Sequence, residues 1–234
     1  MCCITSTSAP GWIFVFCRVR TINSQAISDQ LKYLFKFVNI YICGQKHFGA
    51  EVFSLLSNAG HTIVGVSAPA LNGEGGDDRL KAVAEAAGVK WMKSGLLNEN
   101  TIPDNVDLIV AAHSHDFIRE PTRAKTTHGA IGYHPSLLPI HRGKDAVIWT
   151  ISMGDKVTGG SVYWLNEAMD GGPIAAQEHV FVMPGDTPES LWKRDLAPLG
   201  IRLLCDVCND IAHGKIVKQE QDESIATTEP SIKK

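Results

Sequence analysis

Apolar and polar positions follow no sustained period over residues 1–37, whereas from Val38 onward they settle into a regular order. The run VNIYICG (38–44) is apolar, rich in β-branched residues and ends in glycine, which predicts a first strand. Phe48, Val52, Leu55 and Leu56 then fall on one face of a helix over 45–60, with Gly60 in place to end it. HTIVGVSAP (61–69) predicts a second strand. Asp77 is placed to cap the next helix, and Gly88 to end it. VKWM (89–92) and DLIVAAH (107–113) read as further strands, so the order strand, helix, strand, helix, strand implies a parallel sheet with right-handed crossovers.

The second half predicts strands at GAIGY (129–133), GGSVYWL (159–165) and PIAAQEHVFV (173–182), with a helix over 144–153 between the first two. A closing helix over 188–213 is capped by Thr187 or Asp186, kinked at Pro198 and stopped by Gly214. The fold class is therefore α/β: an open, mostly parallel, Rossmann-like twisted sheet with helices on both faces. Three segments result: an extension over 1–37 whose order the pattern leaves open, a catalytic domain over 38–216, and a polar, exposed C-terminal tail over 217–234.

Composition narrows the function. A hydrophobic content of 44% over 234 residues supports a full core, and a net charge of −3 gives no global attraction for nucleic acid or anionic membrane. The apolar segment 11–19 is too short for a membrane span and lacks the flanks of a signal peptide, so a cytoplasmic location is expected. Cys2, Cys3, Cys17, Cys43, Cys205 and Cys208 show no framework spacing and read as reduced thiols.

Candidate chemistry sits where strands end. The turn Gly44-Gln-Lys-His-Phe-Gly49 is neither a dinucleotide fingerprint nor a phosphate-binding loop. His113, His115 and His134 lack the companion spacing of a zinc site, and Ser136 is not in a nucleophile elbow but beside a proline, as turn-forming serines are. What remains is His134 in IGYHPSLLPIHRG, and Asp170 in the glycine-rich connection NEAMDGGPI. A carboxylate beside an imidazole favours its protonated form and prepares it to donate a proton or steady an oxyanion. Spacing alone does not establish that the two meet. Arg142 and Lys144 are candidates to contact an anionic acceptor, although loop cations are more often simply solvated.

HPSLLPIHRG followed by MDGGPIAAQ resembles the catalytic domain of the folate-dependent formyltransferases; within that family, GQKHFGAEVF, GHTIVGV and YHPSLLPIHRG are most similar to the formyl-hydrolase domain of 10-formyltetrahydrofolate dehydrogenase. The resemblance implies 10-formyltetrahydrofolate as formyl donor, no metal, and a place in one-carbon metabolism. It implies that His134 stabilises charge on the formyl carbonyl and that Asp170 organises proton removal from the attacking group. It further implies folate contacts at Ser114, His115, Asp116, Phe117 and Ile118, and at Asn166, Glu167 and Met169, mostly through the backbone. The acceptor is expected to be the amine of a small molecule, or water; nucleic acid is not expected except as an aminoacyl-tRNA acceptor, and the oligomeric state is open.

One departure matters. The family usually carries Asn two residues before the histidine, as an oxyanion donor; here Gly132 stands there. Losing such a donor typically costs about a hundredfold or more in rate. The hydrolase domain also lacks the asparagine, so three readings stay open: formyl transfer to an amine, hydrolysis releasing formate, and a folate-binding relative with little turnover.

Overall fold

The structure, a computed structural model, describes residues 37–114 and 116–232. The expected extension therefore lies almost wholly outside the described residues, and so does His115. The strands are β1 (Asn39–Gly44), β2 (Thr62–Ala68), β3 (Trp91–Lys93), β4 (Leu108–Ala112), β5 (Ala130–His134), β6 (Val157–Trp164) and β7 (Ile174–Phe181). The helices are α1 (Lys46–Asn58), α2 (Arg79–Ala86), α3 (Glu120–Arg123), α4 (Ala146–Met153), α5 (Pro188–Leu191) and α6 (Ala197–Ala212).

The strands form one sheet in the order β3-β2-β1-β4-β5-β6-β7. Pairs from β3 through to β5 are parallel; β6 and β7 add antiparallel. The chain builds outward from β1 to β3, then returns to the other side of β1 to lay down β4. The order thus reverses between β1 and β4, where ligands in open α/β sheets tend to gather.

Burial explains the central strands. Ile40, Ile42, Leu108, Val110 and Ile131 pack against Phe48, Val52 and Leu56 of α1 and Leu203, Leu204 and Val207 of α6. Each such side chain contributes about 1.5–3 kcal/mol relative to exposure. The alternate residues Tyr41, Cys43, Ile109 and Ala130 face the other way, against Ile102, Val106 and Ile118. Gly132 and His134 alternate with Ile131 and Tyr133, and so share this second face with Ala130.

Two expectations are corrected. Asp78, not Asp77, caps α2: its carboxylate accepts from the Leu80 amide at 2.9 Å, while Asp77 faces solvent and pairs with Lys81. The closing helix is not one regular cylinder kinked at Pro198. A π-helical turn over Trp192–Leu196 separates α5 from α6, immediately before the proline, whose missing N–H and bulky ring disrupt the regular ladder there. Tyr133 exploits that turn, donating its hydroxyl to the Leu196 carbonyl at 2.6 Å, and a Cβ at either Gly160 or Gly200 would overlap its ring. This anchors the end of β5 just before His134.

The polar segment after α6 is not a free tail. Gln219 pairs with Ile174, Thr228 bridges to Arg142, and the Gln221 side chain is buried. No helix among the described residues is long and apolar enough to cross a membrane.

Candidate active site

His134 is the last residue of β5 and is 6% exposed. Its Nε2 lies 2.7 Å from the His141 carbonyl oxygen. A carbonyl only accepts, so Nε2 carries the proton, and Nδ1 is the ring nitrogen left for chemistry. Asp170 Oδ2 lies 3.6 Å from that Nδ1. The separation is beyond a direct hydrogen bond and short enough for one reacting group to address both atoms.

Asp170 is held from every side. Tyr163 donates its hydroxyl to Oδ1 at 2.6 Å, the Gly143 backbone amide donates to Oδ2 at 2.7 Å, and the Gln221 side-chain Nε2 donates to the Asp170 carbonyl at 2.8 Å. Its φ of 50° places it in the left-handed region, where aspartate is among the better-tolerated non-glycine residues. Burial, then the Asp170 charge, pushes the Tyr163 hydroxyl well above its ordinary value, so it stays a donor throughout the working pH range.

Gly132 pairs with Tyr163 across β5 and β6 and with Ala111 on β4. A Cβ there would meet Leu165 Cδ2 at 3.2 Å and Tyr163 Cε1 at 3.5 Å. The Leu165 side chain thus crowds the glycine, the Tyr163 ring lies at ordinary contact distance, and no side-chain donor projects from position 132.

Arg142 is corrected as an acceptor contact. It is only 9% exposed, and its guanidinium is spent on Glu223, at 2.6 and 2.9 Å, and on Gln221, at 2.7 and 3.1 Å. Lys144 remains exposed. Ser136 closes its own loop by donating to the Ile140 carbonyl at 2.6 Å. His113 leaves the strand line at a φ of 61° and packs edge-on against Trp192. Among the described residues no group of His, Cys, Asp and Glu is arranged to hold a metal ion.

The loop after β4 folds on itself: the Asp116 amide donates to Ser114 Oγ, and the Asp116 carboxylate accepts from Ser67, each at 3.0 Å. Ile118 is buried, whereas Phe117 is 65% exposed. In the connection from β6 to β7, Asn166 Oδ1 accepts from the Ala168 amide and Met169 is 67% exposed. Arg123 joins the two segments, donating to the Ile118 carbonyl and to Glu167. His134 and Asp170 are therefore brought together, and the two predicted contact loops are linked to each other.

Tyr163, Gln221, Arg123 and the 219–229 strap were not legible as site residues. Thr227 bonds the Pro139, His141 and Arg142 backbone, and His141 lies between Asp155 at 2.8 Å and Glu229 at 3.2 Å. A weak signal was available: a polar run that still contains glutamine and threonine rather than charge alone.

A sequence profile described as "Formyl transferase" matches residues 42–206. The mitochondrial 10-formyltetrahydrofolate dehydrogenase of Mus musculus is 37% identical over 226 residues, covering 91% of this chain and 24% of that protein. The chain thus spans about a quarter of the length of that relative. The methionyl-tRNA formyltransferase of Thermotoga neapolitana is 29% identical, covering 84% of this chain and 66% of that protein. The crystal structure of phosphoribosylglycinamide formyltransferase from Anaplasma phagocytophilum superposes with a TM-score of 0.65 at 26% identity, covering 78% of this chain and 90% of that one.

Proposed function

We propose, from the premise that the chain belongs to the formyl transferase family, that it moves the formyl group of 10-formyltetrahydrofolate to an amine of a small acceptor. The observation that carries this reading is Asp170, fixed by Tyr163 and Gly143, standing 3.6 Å from the one ring nitrogen of His134 that is open to chemistry. The acceptor nitrogen attacks the formyl carbon, and a proton donated from His134 Nδ1, beside the Asp170 carboxylate, stabilises the oxygen as it becomes anionic. Collapse breaks the bond to N10, which leaves with the electron pair. The proton lost by the amine is handed through Asp170 and His134, directly or by a bridging water, to N10. Atoms and charge balance without a metal or redox partner.

The donor lies, in this reading, against residues 114–118 and 166–169, whose peptide edges and exposed Phe117 and Met169 suit a flat heterocycle bordered by donors and acceptors. We assign the chemistry to residues 38–216 together with the strap that follows. The buried free thiols Cys43, Cys205 and Cys208 favour a reducing compartment such as the cytoplasm.

A second reading, hydrolysis to formate, is favoured by Gly132, which offers no side-chain donor beside the carbonyl, and by Arg142, which is unavailable to an anionic acceptor. Incubation of the purified protein with 10-formyltetrahydrofolate, with and without a panel of small amines, decides between them. Formylated amine establishes transfer; formate released at an enzymatic rate without any amine establishes hydrolysis. Tight folate binding with no turnover of either kind overturns both.

A further inference from the structure

The Arg123 side chain, mostly buried at the end of α3, bridges two segments far apart in sequence. One guanidinium nitrogen donates to the Ile118 carbonyl; the other meets Glu167 Oε1 at 2.6 Å. Ile118 ends the loop after β4, and Glu167 stands three residues before Asp170 in the connection from β6 to β7. Between Asn166 and Met169 that connection is exposed, and among the described residues its internal side-chain tie is the Asn166 bond to Ala168. Arg123 is thus the side chain that ties this exposed stretch to the opposite loop.

We infer that Arg123 and Glu167 form a latch that sets the spacing of the two donor-binding loops, and so controls how tightly the folate is held rather than how fast formyl moves. The inference rests on the donor lying against those loops. Arg123 is the fixed half: its stem is packed and its fork is shared with a backbone carbonyl, so it does not swing away on its own. Glu167 is the releasable half, with a side chain 62% exposed, and opening the latch costs only one solvent-facing ion pair. Neither residue reaches His134 or Asp170 with its side chain, so the chemistry itself is untouched when the latch opens.

The test is titration with 5-formyltetrahydrofolate, an isomer of the donor, together with steady-state assays. Glu167→Gln raises the dissociation constant and the donor KM by about three- to fivefold, the scale of a partly exposed ion pair, while kcat falls less than twofold. Glu167→Asp recovers most of the loss, and Arg123→Lys, which keeps the charge but not the fork, lies between. Raising the salt concentration to about 0.5 M narrows the gap between wild type and Glu167→Gln, because screening weakens the pair in wild type alone. Amide exchange at residues 166–169 quickens in Glu167→Gln without ligand. Wild-type affinity retained in Glu167→Gln, or a loss in kcat with KM unchanged, overturns the latch. If wild type binds no folate, the donor reading falls and the inferred role falls with it, whatever the exchange data show.

Discussion

Two connections leave the same edge of the sheet, the turn after β1 and the loop after β5, and they are finished in opposite ways. The turn after β1 leads into α1, whose first amides make a natural anion site. Here the protein fills that site itself: Asp78, 1% exposed, accepts from the Lys46 amide at the start of α1 and from the Leu80 amide at the start of α2, each at 2.9 Å. The loop after β5 instead starts from an imidazole whose Nδ1 faces a fixed carboxylate across an unbridged 3.6 Å. Each carboxylate accepts two hydrogen bonds, but Asp78 takes both from helix-end amides and knits two helices, whereas Asp170 also faces the open Nδ1 of His134. The lesson is that a charged group's partners, rather than its position on the sheet edge, separate a structural role from a chemical one.

Removing either half of the reactive pair breaks the comparison most severely. His134→Ala and Asp170→Asn each lower turnover by about a hundred- to ten-thousandfold, the range for loss of a positioned acid or base, while folate binding measured by titration survives. Turnover left intact in either variant would sink the proposed chemistry.

Asp78→Ala has the inverse profile. Stranding one buried and one part-buried amide costs about 1–3 kcal/mol, read as a lower urea midpoint, with turnover per folded molecule retained. Inorganic phosphate, placed to occupy the vacated helix end, raises the melting temperature of this variant and not that of wild type. Equal responses of the two proteins to phosphate would show that the helix end was never closed by Asp78.

A finer cut is Tyr163→Phe, which removes one donor to Asp170 and leaves the packing. It lowers kcat by about tenfold, near 1.4 kcal/mol, with the donor KM little changed. Since Leu165 crowds Gly132, Gly132→Asn on its own gains no transferase activity, and any gain appears only with Leu165 made smaller, as product analysis of single and double variants would reveal.

The smallest effect lies far from the site. His61 is buried, accepts the Val38 amide on Nδ1 and meets Asn209 through Nε2, and burial lowers its pKa below the ordinary 6.5. Protonation would set an N–H against an N–H. The depressed value means that this contribution to stability is complete above about pH 6.5 and is lost as pH falls through the folded-state pKa. His61→Gln flattens that part of a stability-against-pH curve.

The sheet was readable because strands and helices repeat. Ile40, Ile42, Val110 and Ile131 announce themselves by type and alternation, and Gly60 and Gly214 by the helices they end. The four-residue α3 carries no period, so it was missed, and with it Arg123. His134 and Asp170 could be named from the sequence, but Tyr163 reaching Asp170 depends on strand register, and Gln221 reaching the Asp170 carbonyl spans 51 positions. Arg142 looked free because its partners, Gln221 and Glu223, lie in a stretch that reads as a solvated tail. Polar networks that join distant segments leave no rhythm in the chain.

That stretch also fixes an order of events during synthesis. Every strand of the sheet is complete by Phe181 and the α6 face that covers it by Ala212, yet contacts that add to Tyr163 and Gly143 in bracing Asp170 and the loop after His134 come later, from Gln221, Glu223, Thr227 and Glu229. A nascent chain folding from its amino end can therefore close its core around α6 before the last braces of its reactive pair have left the ribosome.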